Sequence, residues 1–216
     1  RGERKLTQGL LRGVRPLTAG DLRQEEWRDA PIITSTNDMR QRFVMEKILD
    51  FSRRHGEPVY EFQSPGGNHL YCRGAPVMFG ENISQTAGLV NGATGILSGI
   101  LPMPEEGGEF GVIIRIDRPR YVVVRVQRRT WAVRGVDGAE PPARLENESD
   151  ASFDERCPPP PVLIPLVGAQ VCSYEIAFAT TFHKCIGLTM KKAIVHPGVM
   201  PGFAGMLVAM TRVTRD

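Results

Sequence analysis

Apolar residues follow two different rhythms along this chain. Between Met39 and Arg54, the positions Phe43, Val44, Ile48 and Phe51, with the stem of Lys47, recur at helical spacing and predict an amphipathic helix. Before it, Pro31 opens a short strand, Ile32-Ile33-Thr34, and Ser35-Thr36-Asn37-Asp38 forms a turn with helix-capping chemistry. Gly56 ends the helix, and Pro58-Val59-Tyr60-Glu61-Phe62 predicts a second strand. Strand, polar turn, helix and strand make one unit of a parallel α/β sheet. Upstream, leucines mixed with charges over Arg1 to Asp29 predict short helices broken at Gly13 and Pro16, with Thr18 three residues before Asp21 as a helix start.

The middle of the chain changes to short β segments: 75–79, 88–90, 95–97, 110–116, 121–126 and 130–133. Turn signals separate them at Asn91-Gly92, Gly107-Gly108, Arg118-Pro119 and Asp137-Gly138. This pattern predicts a small antiparallel barrel or meander. From Glu140 to Pro161 the chain is acidic and then proline-rich, as in an exposed loop with a stiff end. The α/β pattern then resumes. Residues 162–167 and 171–177 read as apolar approaches to a polar turn, Ala193-Ile194-Val195-His196 as a buried strand, and Met206 to Met210 as a further apolar run. The expectation is one α/β domain interrupted by a β insertion.

The run from Ala177 to Thr189 carries the most chemistry. Small and apolar residues end a strand, and Thr181 to Gly187 then packs a hydroxyl, an imidazole, an ammonium and a glycine into one turn. Such a turn suits phosphate: lysine supplies a point charge, glycine admits a close backbone approach, and Thr and His supply donors. An ordinary strand running into a polar loop would have the same composition.

Composition narrows the classes. Hydrophobic content of 41% and charged content of 24% over 216 residues are those of a globular protein able to build a sizeable core. The net charge of +3 does not by itself argue for nucleic acid, but its distribution is uneven. Val112 to Arg134 holds seven arginines against one aspartate, and Asp137 to Arg156 holds seven acids against two arginines. A basic surface beside an acidic loop would look like this, and so would two solvated faces. The four cysteines, at 72, 157, 172 and 185, show no Cys-x-x-Cys pair and no zinc spacing, so no metal site is expected and a reduced intracellular setting is. No stretch approaches a transmembrane span, so no membrane partner is expected. The chain opens without Met and in mid-pattern, which reads as a piece of something longer.

Four patches, in order, resemble the Pif-one/RecD-like branch of superfamily 1 DNA helicases, which includes the helicases of Helitron elements. Pro31-Ile32-Ile33-Thr34-Ser35-Thr36-Asn37 is similar to helicase motif IV. Gly74-Ala75-Pro76-Val77-Met78-Phe79 with Asn82, followed by Gly88 to Gly95, resembles the stretch that enters the barrel insert of that branch. The Thr181–Thr189 turn is similar to motif V, T-x-H-K-x-Q-G-x-T, and Val208-Ala209-Met210-Thr211-Arg212 to motif VI, V-A-L-[ST]-R. The resemblance spans nearly the whole chain.

It implies a second RecA-like domain with a parallel sheet, over 31–72 and 162–216, interrupted by a small antiparallel β-barrel over 73–140. Residues 1–30 would be a helical linker from a first motor domain, and 141–161 the acidic and Pro-rich loop. That first domain would hold most of the contacts to ATP and Mg, since no Gly-Lys-Ser or Gly-Lys-Thr phosphate loop occurs in the sequence. Arg212 would be the catalytic arginine reaching the γ-phosphate, a fixed planar cation against developing charge, or else a surface arginine. Thr181, His183, Lys184 and Thr189 would hold DNA backbone, with Gly187 coupling the turn to the nucleotide cleft. His183 could instead bond a backbone carbonyl. Thr36 and Asn37 would touch backbone too, although a helix cap explains them equally. Asn91-Gly92 reads as a turn, Trp131 as core, and the arginines at 115, 118, 120, 125, 128 and 129 as an electrostatic funnel of which strand alternation points half one way.

One departure stands out. Ile186 replaces the usual Gln, and Cys185 an often-found Ser; a branched apolar side chain can neither donate nor accept, so the hydrogen bond of that Gln is lost. The expected function is the C-terminal part of an ATP-dependent DNA helicase, moving 5′ to 3′ and acting on single-stranded or forked DNA in repair or recombination. In a eukaryote its place would be the nucleus or mitochondrion. By itself it would not hydrolyse ATP. The alternative is a non-catalytic nucleic-acid-binding remnant of such a helicase.

Overall fold

In the computed structural model the described residues are 16–65, 67–83, 89–104, 108–126, 161–166, 174–186 and 192–196, with 145, 149, 152, 156, 188 and 190. They divide into two compact units, one formed by the chain up to Lys47 and from Ala177 on, the other by Ile48–Ile176. The fold is mixed α/β, with one parallel sheet, one mixed sheet and one antiparallel sheet.

The first unit is built on strand β1 (Ile32–Thr34), fully buried, between β10 (Ala179–Thr181) and β11 (Ile194–Val195). Both pairings are parallel, with Ile32 opposite Ala179 and Ile194, and Thr34 opposite Thr181. Ile33 packs with Phe182 and Cys185 on one face, and Leu188, Met190, Ala193 and Val195 close over them. Helix α1 (Glu25–Arg28) follows a single 3-10 turn at Asp21–Arg23, which Thr18 and Asp21 brace through a 2.7 Å bond between hydroxyl and carboxylate. The Lys47 ammonium donates to the carbonyls of Arg28 (2.8 Å) and Ala30 (2.6 Å), so the lysine expected to lend only its stem also anchors the approach to β1. Helix α2 runs from Asn37 to His55, a little beyond the predicted span, and the division between the units falls within it.

The second unit holds the other two sheets. Strand β2 (Val59–Ser64) was expected in the parallel sheet with β1; it stands instead in a mixed sheet, antiparallel to β3 (Gly67–Tyr71) and parallel to β6 (Ile113–Arg115). The reason is local. Ser64 pairs with Gly67, so β3 follows almost at once, and so short a connection can make only an antiparallel neighbour. With β6 on its other edge, β2 has no edge left for β1.

The antiparallel sheet has the order β8-β7-β5-β4-β9, with β4 at Pro76–Phe79, β5 at Thr94–Leu101, β7 at Tyr121–Val126, β8 at Val162–Pro165 and β9 at Tyr174–Ile176. This corrects the barrel expected over 73–140. Among the described residues the sheet is open, and its two edges come from residues beyond 161 that were expected to lead into the parallel sheet. The expected segment 130–133, Trp131 included, lies outside the described residues. Gly95 is required where β5 meets β7, because a Cβ there would lie 2.6 Å from Val124 Cγ1. Asn91-Gly92 is a turn, as expected: Gly92 has φ 83°, its amide donates to Phe79 O, and Asn82 Oδ1 accepts from the Asn91 amide.

Candidate nucleic-acid interface

Parallel strands deliver their following turns to one edge of a sheet, the carboxyl edge where α/β proteins place ligands. Here β1 and β10 end in register, with Thr34 opposite Thr181 and the Phe182 amide donating to Thr34 O at 3.1 Å. The Ser35–Asn37 turn and the Thr181–Ile186 turn therefore leave the sheet side by side. β11 ends at the same edge, and the His196 amide donates to Ile33 O at 2.9 Å.

Thr36 is the N-cap of α2. Its hydroxyl oxygen accepts from the Met39 amide at 3.3 Å, and its carbonyl accepts from Arg40 N. Thr36 and Asn37 are both exposed, so the capping hydroxyl keeps its own proton for a second acceptor. Two further amide hydrogens of the first turn have no intrahelical carbonyl to reach, and the positive end of the helix dipole lies there. Asp38 in that first turn offsets part of this field.

The second turn is held from inside. Phe182 and Cys185, three apart, are buried against Ile33, and Cys185 Sγ lies 3.0 Å from Phe182 O. Cys185 N donates to Thr181 O and Ile186 N to His183 O, which winds the turn tightly. His183, Lys184 and Ile186 are thereby left outside, with Ile186 64% exposed. Thr181 is different. It is 7% exposed at the end of β10, so its side chain is withdrawn from the surface that carries His183 and Lys184. Gly187, Thr189 and Arg212 lie outside the described residues.

The structure adds two groups at this edge that sequence reading did not single out. Ser35 Oγ and His196 Nδ1 are buried without a hydrogen-bond partner among the described residues. The His196 ring lies 5.1 Å from that of Phe43. Nothing in the sequence distinguishes His196 from the end of a core strand; only the parallel pairing of β11 with β1 brings it here.

Among the described residues the perturbed titratable groups belong to the second unit. Burial lowers the pKa of His69 below its ordinary value, against smaller opposing effects of a hydrogen bond to the Tyr174 backbone and of the Glu175 charge. Burial also pushes the Cys72 thiol up to about 12, with Glu57 adding to it, so this cysteine stays protonated and inert. Among the described residues no three His, Cys, Asp or Glu side chains gather as a metal site, and no helix is long and apolar enough to cross a membrane.

No protein-family profile matches the chain, and no curated protein matches it by sequence. Solved structures do match, Pif1 (Pif-one) helicases among them. One, from work on unwinding at forked double-stranded DNA by two coordinating Pif1 helicases, has a TM-score of 0.50 at 15% identity, covering 92% of this chain and 41% of that one. The Candida albicans Pif1 helicase has a TM-score of 0.49 at 14% identity, covering 92% of this chain and 45% of that one. Bacteroides Pif1 bound to single-stranded DNA has a TM-score of 0.48 at 16% identity, covering 86% of this chain and 38% of that one. The likeness is one of fold, with the family that the order of motifs resembles. The chain spans less than half the length of each of these three helicases.

Proposed function

We propose that this chain is the C-terminal part of a helicase of the Pif1 type, a second RecA-like domain with a β-rich insertion, and that its parallel sheet grips single-stranded DNA along the carboxyl edge. The observation that carries this reading is the register of Thr34 with Thr181, which brings two turns similar to motifs IV and V to one edge. Lys184 supplies the charge, Thr36, Asn37 and His183 supply donors, and the contacts fall on phosphates and carry no sequence. Thr181 shapes the turn at the end of β10, Gly187 couples it to the nucleotide cleft, and Thr189 extends the backbone contact. ATP and Mg are held mainly by another domain, and nucleotide bound there would supply the energy of movement, 5′ to 3′ along the strand. Arg212 serves that nucleotide as a fixed cation, and the 216 residues do not turn over ATP by themselves.

A second reading is a nucleic-acid-binding protein without motor activity. Ile186 favours it, because the exposed position where relatives usually carry Gln here offers no hydrogen bond. One pair of measurements tests both readings: ATPase turnover and affinity for a fluorescent 12-mer strand. Binding without turnover is the expected result. Robust turnover by this chain would overturn the proposed division of labour, and a lack of strand affinity at low salt would overturn the interface.

A further inference from the structure

The mixed sheet of the second unit carries a polar cleft of about 370 Å³, lined by Glu61, Gln63, Asn68, Arg115, Asp117 and Arg118 among others. Strand alternation explains it. Tyr60 and Phe62 of β2 turn inward and are buried, so Glu61 and Gln63 share the opposite face. Pairing sets Asn68 of β3 beside Gln63 and Arg115 of β6 beside Glu61. The chain leaves β6 through Asp117 and Arg118, both exposed.

The arginine at the centre is oriented in advance. Glu61, with its side chain only 18% exposed, accepts from Arg115 Nε at 3.1 Å, while the Arg115 side chain is 87% exposed. The carboxylate occupies Nε and leaves the two terminal amino groups of the guanidinium, the pair that clasps phosphate in a bidentate manner. Arg118 adds a second cation to the same cleft. Gln63 and Asn68 offer side-chain amides, the groups that pair with the N6 and N7 atoms of adenine. Two cations against two carboxylates leave no net charge, which suits a phosphodiester monoanion better than a free polyphosphate. The volume lies at the lower end of ligand pockets, roughly 300–1,000 Å³, which is room for one nucleotide unit.

We infer that this cleft is a nucleotide subsite: Arg115 and Arg118 hold one phosphodiester of a single strand, and the amides of Gln63 and Asn68 take the edge of its base, adenine preferred. The inference rests on the reading of the chain as a single-strand binder, and it assigns to the second unit a contact separate from the carboxyl edge of the parallel sheet. The source of the nucleotide, a strand or a free mononucleotide, is resolved by the arms of one experiment.

The whole chain is titrated into fluorescent dA12 and dT12 across a salt series, with 5′-AMP and inorganic phosphate as competitors. Arg118→Ala, which leaves the Glu61–Arg115 pair intact, and Arg115→Ala should each weaken strand binding about threefold to fivefold. Each should also reduce the magnitude of the salt slope by about 0.7, the value of one phosphate contact on a single strand. The pair Gln63→Ala and Asn68→Ala should erase a preference for dA12 over dT12. Competition by millimolar AMP that phosphate cannot match supports a nucleotide; equal competition by phosphate makes this an anion site and overturns the inference. Unchanged affinity and slope in both arginine variants, alongside a loss in Lys184→Ala, would remove the cleft and leave the interface of the first unit standing. The reverse pattern would keep the cleft and remove that interface. If the unaltered chain binds neither strand, a cleft that binds AMP alone is a free-nucleotide site, and the strand reading falls in both places.

Discussion

The Ser52 hydroxyl accepts the amide hydrogen of Gly111 at 2.9 Å, joining the last turn of α2 to a loop 59 residues later in sequence. The same hydroxyl donates to Glu57 O at 2.6 Å. Ser52 is wholly buried, so its removal orphans both partners away from water. Ser52→Ala should therefore cost about 1–3 kcal/mol, read as a lower urea midpoint at unchanged m. Gly111 has φ 75°, and a Cβ there would run into the Arg53 side chain, so Gly111→Ala should be destabilising as well. A loss below about 0.5 kcal/mol, the scatter of surface substitutions, in both variants would show that this tie contributes nothing to the second unit.

His69 sets a pH dependence of known sign. Its ring is 5% exposed, 5.7 Å from that of Phe62 and 5.2 Å from that of Tyr174, with Nε2 unpartnered among the described residues. Burial holds its folded pKa below 6.5, and the hydrogen bond to the Tyr174 backbone and the Glu175 charge offset this only in part. The unfolded chain then takes up the proton first. Stability is full above the unfolded value, falls as pH drops through 6.5, and levels off below the folded value. Thermal midpoints at pH 7.5 and 5.5 should differ, and His69→Phe should narrow the gap. An equal acid shift in that variant would assign the effect to other groups.

The helix, its cap and its stop were legible in the sequence because they are local: Phe43, Val44, Ile48 and Phe51 share one helical face, Thr36 precedes it and Gly56 follows it. The turn from Thr181 was legible for the same reason, since its chemistry is contiguous. Sheet partnership was not. Whether Val59–Ser64 lies beside Ile32–Thr34 or beside Ile113–Arg115 is a choice among long-range pairings, and an apolar alternation fits either. The same holds for Val162–Pro165, a short apolar run that suits both the parallel sheet it was expected to approach and the antiparallel edge it occupies. His196 and the Arg115–Glu61 pair depend wholly on such pairings, and no local pattern announces them.

Thr36 offers a way to separate capping from contact. Aspartate caps a helix about as well as threonine and gains from the helix dipole, but it sets a negative charge against phosphate. Thr36→Asp should keep the thermal midpoint within a few degrees of the parent and weaken single-strand binding. Thr36→Ala should cost about 0.5–2 kcal/mol of stability. If Thr36→Asp binds a 12-mer as the parent does, the threonine is a cap and nothing more.

Lys184 and His183 share the exposed side of a turn anchored by Phe182 and Cys185, so neither supports the core. Lys184→Ala should alter stability by no more than about 0.5 kcal/mol and weaken strand binding, with a salt slope smaller in magnitude by about 0.7. His183→Ala should act in the same direction and more weakly, since the imidazole contributes a hydrogen bond. Affinity that is insensitive to both changes would place the strand elsewhere on the molecule.

Ile186 decides between the two functional readings. At 64% exposure its side chain contributes little packing, so Ile186→Gln should alter stability by no more than about 0.5 kcal/mol. The amide would stand beside exposed His183 and Lys184, restoring a donor and an acceptor to a turn that otherwise fits the motif. If the turn keeps the geometry of a DNA-gripping element, Ile186→Gln tightens single-strand binding several-fold at low salt. Because an amide adds no charge, the salt slope stays where it was, and that separates this gain from a non-specific electrostatic one. A variant that folds as the parent does and binds no more tightly would mean that the turn no longer meets the strand in the manner of its relatives, and the non-motor reading would then take precedence.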